Sequence, residues 1–196
     1  MPKEQKQRKI AEKTPSAPRS APLITEAAPA AKAKEDTCAR SLTEGQRAAE
    51  EAISQWFFNE ARQIFVLSGY AGTGKTVLIT HAVKYALHLQ PGEEAVFVAP
   101  TGKAAAVLVR NGTPAGTVHS LIYTIDENDF DVDENGEIIR PDRPRFVRRE
   151  KIDEKIKLII IDEASMVDET LLNDVLAFGV KCLFCGDKAQ LPPVRG

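Results

Sequence analysis

The stretch GYAGTGKT at 69–76 allows few folds. It matches the pattern G-x-x-x-x-G-K-[ST] in full, and that pattern works only on a loop that leaves a strand and opens a helix. Both flanks read that way. QIFVLSG at 63–69 is a short run of β-branched and aromatic residues, and GKTVLITHAVKYALHL at 74–89 carries a helical apolar period. The glycines let the backbone wrap closely and aim its N–H groups at phosphates. Lys75 supplies a charge for the β- and γ-phosphates, and the Thr76 hydroxyl is placed to ligate Mg²⁺. Gly69, Gly72, Thr73, Gly74, Lys75 and Thr76 are therefore the expected cradle for ATP.

The rest of the chain must then supply a parallel sheet. EAVFVAP at 94–100, KIKLIIIDE at 155–163 and VKCLFCGD at 180–187 read as further strands. GKAAAVLVRN at 102–111 and DETLLNDVLAF at 168–178 read as helices between them. The strand runs are almost continuously apolar, as strands are when helices cover both faces. The expected fold is α/β, a doubly wound parallel sheet carrying a P-loop. A helix over SLTEGQRAAEEAISQWFF, 41–58, precedes it. Thr43 and Gln46 there have capping-box spacing, and Ala49, Ile53, Trp56 and Phe57 share one face.

A carboxylate pair supports the phosphate loop. LIIIDEAS at 158–165 runs four apolar residues into Asp162 and Glu163. Acids at the end of a buried strand are costly unless they have work. Asp162 would hold the Mg²⁺ shell and Glu163 would polarise the attacking water. The alternative is an acid pair capping the next helix.

Composition bounds the partners. The chain has 196 residues, 43% of them hydrophobic, and a formal net charge of −2. That charge neither suggests nor excludes nucleic acid. No apolar run approaches a membrane span, and no signal-peptide core opens the chain, so the expectation is an intracellular, cytoplasmic protein, with nucleoid or nucleus as variants. Nothing indicates an obligate oligomer. Residues 1–36, rich in Ala, Pro, Lys and Glu, read as a disordered tail before a domain at 37–196. Lys3, Lys6, Arg8, Lys9 and Lys13 make its start basic, which reads as a solvated run before a nucleic-acid contact. Cys182 and Cys185 form a C-x-x-C, but three positions apart on a strand point to opposite faces, so two buried thiols are expected rather than a metal or redox pair.

Six segments in order, LTEGQ, GYAGTGKT, APTGKAA, TVHSLI, IIIDEASMVD and GDKAQLPPV, resemble the first motor domain of superfamily 1 DNA helicases of the RecD-like, 1B branch. The resemblance covers about 41–196, with a divergent stretch at 124–155. It implies a RecA-like P-loop NTPase fold and an ATP-dependent helicase that moves 5′ to 3′ on single-stranded DNA and unwinds duplex. It implies that Gln46 reads the adenine edge and that Asp187 and Gln190 sense the γ-phosphate, alongside Lys75 and Glu163 in catalysis. It implies that Pro100, Thr101, Lys103 and His119 line the DNA path. Taken alone, His119 also reads as a core histidine. The family pattern continues into a second motor domain that carries an arginine for the γ-phosphate, so the chain reads as the N-terminal piece of a longer protein. The alternative is a nucleotide-dependent binding or loader module that does not translocate.

Residues 124–155 have two readings. Asp131, Asp133, Asn135, Gly136, Ile138 and Asp142 have calcium-loop spacing. FDV and EIIR joined by an Asn135–Gly136 turn make a hairpin, and Pro141 and Pro144 break the helix that should leave a calcium loop, so the hairpin is expected. Arg140, Arg143, Arg145, Arg148, Arg149 and Lys151 follow; they read as a phosphate-contacting edge in preference to a solvated loop.

Overall fold

A computed structural model describes residues 42–126, 129, 131–132, 138–139 and 145–187. The tail, Asn135–Gly136, Arg140, Arg143 and Gln190 lie outside the described residues. In chain order the elements are α1 (Glu44–Phe57), β1 (Ile64–Ser68), α2 (Lys75–His81), β2 (Ala95–Ala99), α3 (Gly102–Arg110), β3 (Ala115–Thr117), α4 (Val118–Ile122) and β4 (Tyr123–Ile125). Then come β5 (Asp131–Val132), β6 (Ile138–Ile139), β7 (Phe146–Arg148), β8 (Leu158–Ile161), α5 (Glu169–Leu176) and β9 (Lys181–Gly186).

Five strands form one parallel sheet in the order β1-β9-β8-β2-β3. Period-two alternation sorts its inner strands between two cores. Leu158 and Ile160 of β8 and Leu183 and Cys185 of β9 face α1, α2 and α3, where Ile53, Trp56, Ile79 and Leu108 cover them. Ile159, Ile161, Cys182 and Phe184 face the other way, under Val118, Ile122, Leu171 and Val175 of α4 and α5. The sheet is thus doubly wound, as expected. Cys182 and Cys185 fall in separate cores, as their spacing requires.

The helix α1 starts as its sequence dictates. Gln46 N–H donates to Thr43 Oγ1 at 3.3 Å, and Thr43 N–H donates back to Gln46 Oε1 at 3.1 Å. Its C-terminal end is closed by Lys181 of β9, whose Nζ donates to the carbonyls of Trp56, Asn59 and Arg62.

Three features depart from the sequence reading. The helix after the phosphate loop is not uniform: it is α over Lys75–His81 and π over Ala82–Ala86, with Leu87 N–H donating to Ala82 O at 2.8 Å. The wider turn rotates the end of the helix so that Leu87 and Leu89 both enter the core. TPAGT conceals β3, because Pro114 and Gly116 have poor strand propensity; pairing with β2 makes the strand. Finally, β1 is covered on one face only. Phe65 and Leu67 pack inward, while Ile64 and Val66 are exposed, since α5 does not extend over this edge strand.

Between β4 and β7 the chain leaves the sheet as an antiparallel ribbon, Tyr123 opposite Arg148 and Ile125 opposite Phe146. Within it, Asp131 pairs with Ile139 and Val132 with Ile138. That antiparallel pairing agrees with the expected hairpin, while its Asn135–Gly136 turn and the calcium-loop positions Asp133 and Asp142 lie outside the described residues.

Candidate functional site

All strands of the sheet are parallel, so their carboxyl ends share one edge. Because β9 lies between β1 and β8, that edge brings together the phosphate loop after β1, Gly186 and Asp187 after β9, and Asp162 and Glu163 after β8. Gly69 N–H donates to Gly186 O at 3.3 Å and fixes the start of the loop beside β9. Asp162 N–H donates to Val98 O at 2.9 Å and fixes the acid pair beside β2.

The result is a cleft of about 380 Å³. One wall is the loop and helix start, from Ala71 to Val77; the other is Asp162, Glu163, Gly186 and Asp187. Lys75 is the only cation among the described residues that line it. Gly72 and Gly74 have φ of +77° and +79°, a region that penalises any side chain. A Cβ at Gly74 would also stand 3.2 Å from Gln46 Nε2. Thr73 Oγ1 donates to Tyr70 O at 2.8 Å, and Lys75 Nζ donates to Gly69 O at 2.7 Å and Tyr70 O at 2.9 Å. The lysine is therefore held over the loop by neutral carbonyls, and a phosphate oxygen would add to the hydrogen bond the attraction of an opposite charge.

The facing wall is acidic. Glu163 sits at φ +56°, ψ +40°, a left-handed conformation that costs a non-glycine residue about 1–2 kcal/mol. Strain of this kind persists where the surroundings impose it, and here its effect is to turn the chain sharply so that both acids stay at the cleft. Glu163 N–H donates to Asp162 Oδ1 at 3.0 Å. Beneath them lies Cys185. Burial pushes its thiol up to about 12, the Asp162 carboxylate adds to the rise, and Lys75 opposes it. A cation on one wall and carboxylates on the other suit a polyphosphate bridged to the acids by a divalent metal, because the acids alone would repel the phosphates. Thr76 and Asp162 both line the cleft and are the residues available to such a metal.

Gln46 lies against the loop rather than away from it: its Nε2 donates to Thr73 O at 3.4 Å while Oε1 serves the α1 cap. Both ends of the carboxamide are engaged here.

The four residues expected on a nucleic-acid path lie on the same edge, farther along. Ala99 of β2 pairs with Thr117 of β3, so Pro100 and Thr101 leave the sheet level with Val118 and His119. Lys103 is exposed in the first turn of α3. Thr101 caps that helix, its Oγ1 accepting from Ala104 N–H at 3.2 Å. His119 is exposed, which removes the core-histidine reading, and its ring lies 5.4 Å from that of Tyr123.

The arginine edge divides. Arg145 and Lys151 are exposed. Arg148 instead faces Asp174 of α5 at 3.7 Å and lies over the Phe178 ring at 5.8 Å, and Arg149 Nε is buried. Arg148 is nonetheless exposed, and Arg149 is partly buried. The sequence reading missed the backbone of Glu163 and the placement of Cys185 under Asp162. Nothing in DEAS announces a left-handed glutamate; for Cys185, strand alternation plus adjacency of β9 to β8 would have been enough. Among the described residues, no helix is long and apolar enough to cross a membrane.

A family model described as AAA domain matches residues 41–196. The uncharacterized protein MJ1519 of Methanocaldococcus jannaschii is 36% identical over 140 residues, covering 67% of this chain and 12% of that relative. The ATP-dependent DNA helicase PIF1 of Saccharomyces cerevisiae is 33% identical over 139 residues, covering 65% of this chain and 15% of the helicase. Among solved structures, the crystal structure of Bacteroides Pif1 bound to ssDNA has 26% identity and a TM-score of 0.48, covering 80% of this chain and 34% of the other. The chain thus spans 12% and 15% of the lengths of the two curated relatives.

Proposed function

The chain belongs to the AAA domain family over residues 41–196, and from that premise we propose that it is the ATP-binding motor domain of an ATP-dependent DNA helicase. The observation that carries the reading is the single cleft with Lys75 on one wall and Asp162, Glu163 and Asp187 on the other. The name of the yeast relative, a DNA helicase 33% identical over 139 residues, supports the choice among P-loop functions.

In this reading the loop amides and Lys75 bind the phosphates of ATP, and Thr76 and Asp162 hold Mg²⁺, which neutralises charge on the transferring phosphoryl group. Glu163, exposed at the cleft rim, orients and polarises a water. Asp187, with Gln190 beyond it, senses the γ-phosphate, and Gln46 leaves its cap to meet the adenine edge, where an amide both donates and accepts. Pro100, Thr101, Lys103 and His119 contact single-stranded DNA. Translocation 5′ to 3′ is part of the proposal.

Among the described residues, the cleft's positive charge comes from one side. Lys75 supplies positive charge from the loop side only. Electrostatic stabilisation of phosphoryl transfer needs cations on several sides, and an added arginine is worth about 10³–10⁵ in rate. We place that arginine on a second motor domain of the full-length protein. The test is steady-state ATP turnover with and without a single-stranded oligonucleotide, for this chain and for a longer chain including the following domain. DNA-stimulated turnover is expected of the longer protein and at most slight turnover of this chain. A longer protein whose turnover ignores DNA overturns the helicase reading.

A further inference from the structure

At the base of the ribbon between β4 and β7, one side chain of α5 meets both strands. Tyr123 and Arg148 form its first rung, directly opposite each other. Tyr123 Oη donates to Asp174 Oδ2 at 2.5 Å, and Arg148 Nε stands 3.7 Å from the other oxygen of the same carboxylate. Both strands of the ribbon are thus gripped by one residue in the middle of α5. Further contacts surround the grip. The Arg148 guanidinium covers the Phe178 ring, the His119 ring packs on Tyr123, and Arg149 N–H donates to Ile122 O at 2.8 Å.

Two properties make this more than ordinary packing. First, the bond to Asp174, helped by burial and by the charges of Asp174 and Asp168 and opposed by Arg148, pushes the Tyr123 phenol up to about 12. The hydroxyl therefore remains a donor well into the alkaline range, past the ordinary 10.0 of a phenol. Second, α5 follows the acid pair of the cleft after only the short 3₁₀ turn Ala164–Met166 and the cap residue Asp168. The ribbon is tied to the element nearest Glu163 in the chain. Two rungs beyond the grip, Ile125 and Phe146 sit opposite each other, 47% and 65% exposed. Period two puts them on the face of the ribbon that carries Tyr123 and Arg148.

We propose that Asp174 is a positioning residue whose carboxylate, shared between Tyr123 and Arg148, sets the angle of the inserted ribbon on the ATPase core. With the clasp closed, the ribbon, His119 and α5 move as one body, and the Ile125–Phe146 rung is presented in a fixed direction. The clasp stands on geometry alone; its consequence for DNA rests on the proposed function. In that setting an exposed aromatic rung beside His119 is a surface on which unpaired bases stack.

The experiment is amide hydrogen exchange on the nucleotide-free chain, comparing 123–125 and 146–149 with β8 and β9. Asp174→Leu removes both bonds and is expected to speed exchange of the ribbon amides about tenfold or more, leaving β8 and β9 within about twofold. Tyr123→Phe, a milder change that keeps the chain folded if Asp174→Leu does not, is expected to give a smaller rise in the same amides. Asp174→Asn keeps an acceptor for Tyr123 and is expected to fall between Asp174→Leu and the parent chain. Unchanged ribbon exchange, or an equal rise in β8 and β9, overturns the clasp. A labelled single-stranded oligonucleotide then reads the consequence by anisotropy. Binding weakened several-fold by Asp174→Leu and recovered in part by Asp174→Asn supports it, and binding unchanged while the ribbon is loosened overturns it. Absence of binding by the parent chain counts against the helicase reading, while the exchange data still decide the clasp.

Discussion

Alkaline pH should destabilise this domain through two thiols. Cys182 and Cys185 are 0% and 1% exposed on opposite faces of β9. Burial pushes each thiol from an ordinary 9.0 up to about 12. The folded chain therefore keeps a proton on each thiol over a range where the unfolded chain has lost it. Below about pH 9 both states are protonated and the contribution is fully present; it is lost as pH rises from 9 toward 12. The slope is about 1.4 kcal/mol per pH unit per thiol, hence on the order of 3 kcal/mol each between pH 9 and 11. Together they approach the whole stability of a typical domain, about 5–15 kcal/mol. Tyr123, also raised, joins the loss above pH 10. The assay is urea unfolding at half-unit steps from pH 8 to 11. Cys182→Ala should show a constant offset at low pH from its small cavity, and a slope shallower by about 1.4 kcal/mol per pH unit above 9. Parallel curves for the parent chain and Cys182→Ala would show that the thiols do not carry the loss, and the account of β9 as buried on both faces would be wrong.

Other consequences are local. Gly74→Ala places a Cβ at φ +79° and 3.2 Å from Gln46; it should cost about 1–2 kcal/mol in a urea melt and weaken nucleotide binding, and a neutral effect on both would contradict the loop geometry. Lys181→Met removes the donor that closes α1 on three carbonyls and should cost about 2 kcal/mol. Trp56, the only tryptophan, should report it by a red shift in emission, and an unchanged spectrum would argue against the cap. Glu163→Gly should relieve the left-handed strain and raise stability by about 1 kcal/mol while abolishing turnover of the longer protein. Glu163→Ala should abolish turnover without that gain, and equal stability changes in the two would refute the strain argument.

How much of this was legible in the sequence follows from how local each feature is. The phosphate loop, the α1 capping box and the separation of Cys182 from Cys185 depend on residues a few positions apart, and each was readable. The gathering of Lys75, Asp162 and Asp187 needed the strand order, which follows from motif order only if the fold is assumed. Features that arise from tertiary pairing were hidden. Thr-Pro-Ala-Gly-Thr at 113–117 has no strand signal, yet β2 offers it a partner. The π turn at Ala82–Ala86 has the same apolar period as a plain helix and shows itself only when Leu87 and Leu89 must both be buried. The arginine edge read as uniform because charge is all a sequence displays; Asp174, far along the chain, gives Arg148 an intramolecular partner. The open face of β1 is likewise invisible in IFVLS, whose apolar run looks the same whether or not a helix reaches it.

The central claim is that the cleft binds the phosphates of ATP through Lys75. The most direct measurement is a titration of a fluorescent ATP analogue with Mg²⁺ against the parent chain and Lys75→Ala. The lysine's two bonds to Gly69 and Tyr70 carbonyls are exchanged for bonds to phosphate on binding. Loss of charge-assisted bonds should then weaken affinity by about tenfold to a hundredfold, with the urea melt of the free chain nearly unchanged. Equal affinity for the two proteins would contradict the assignment of this cleft.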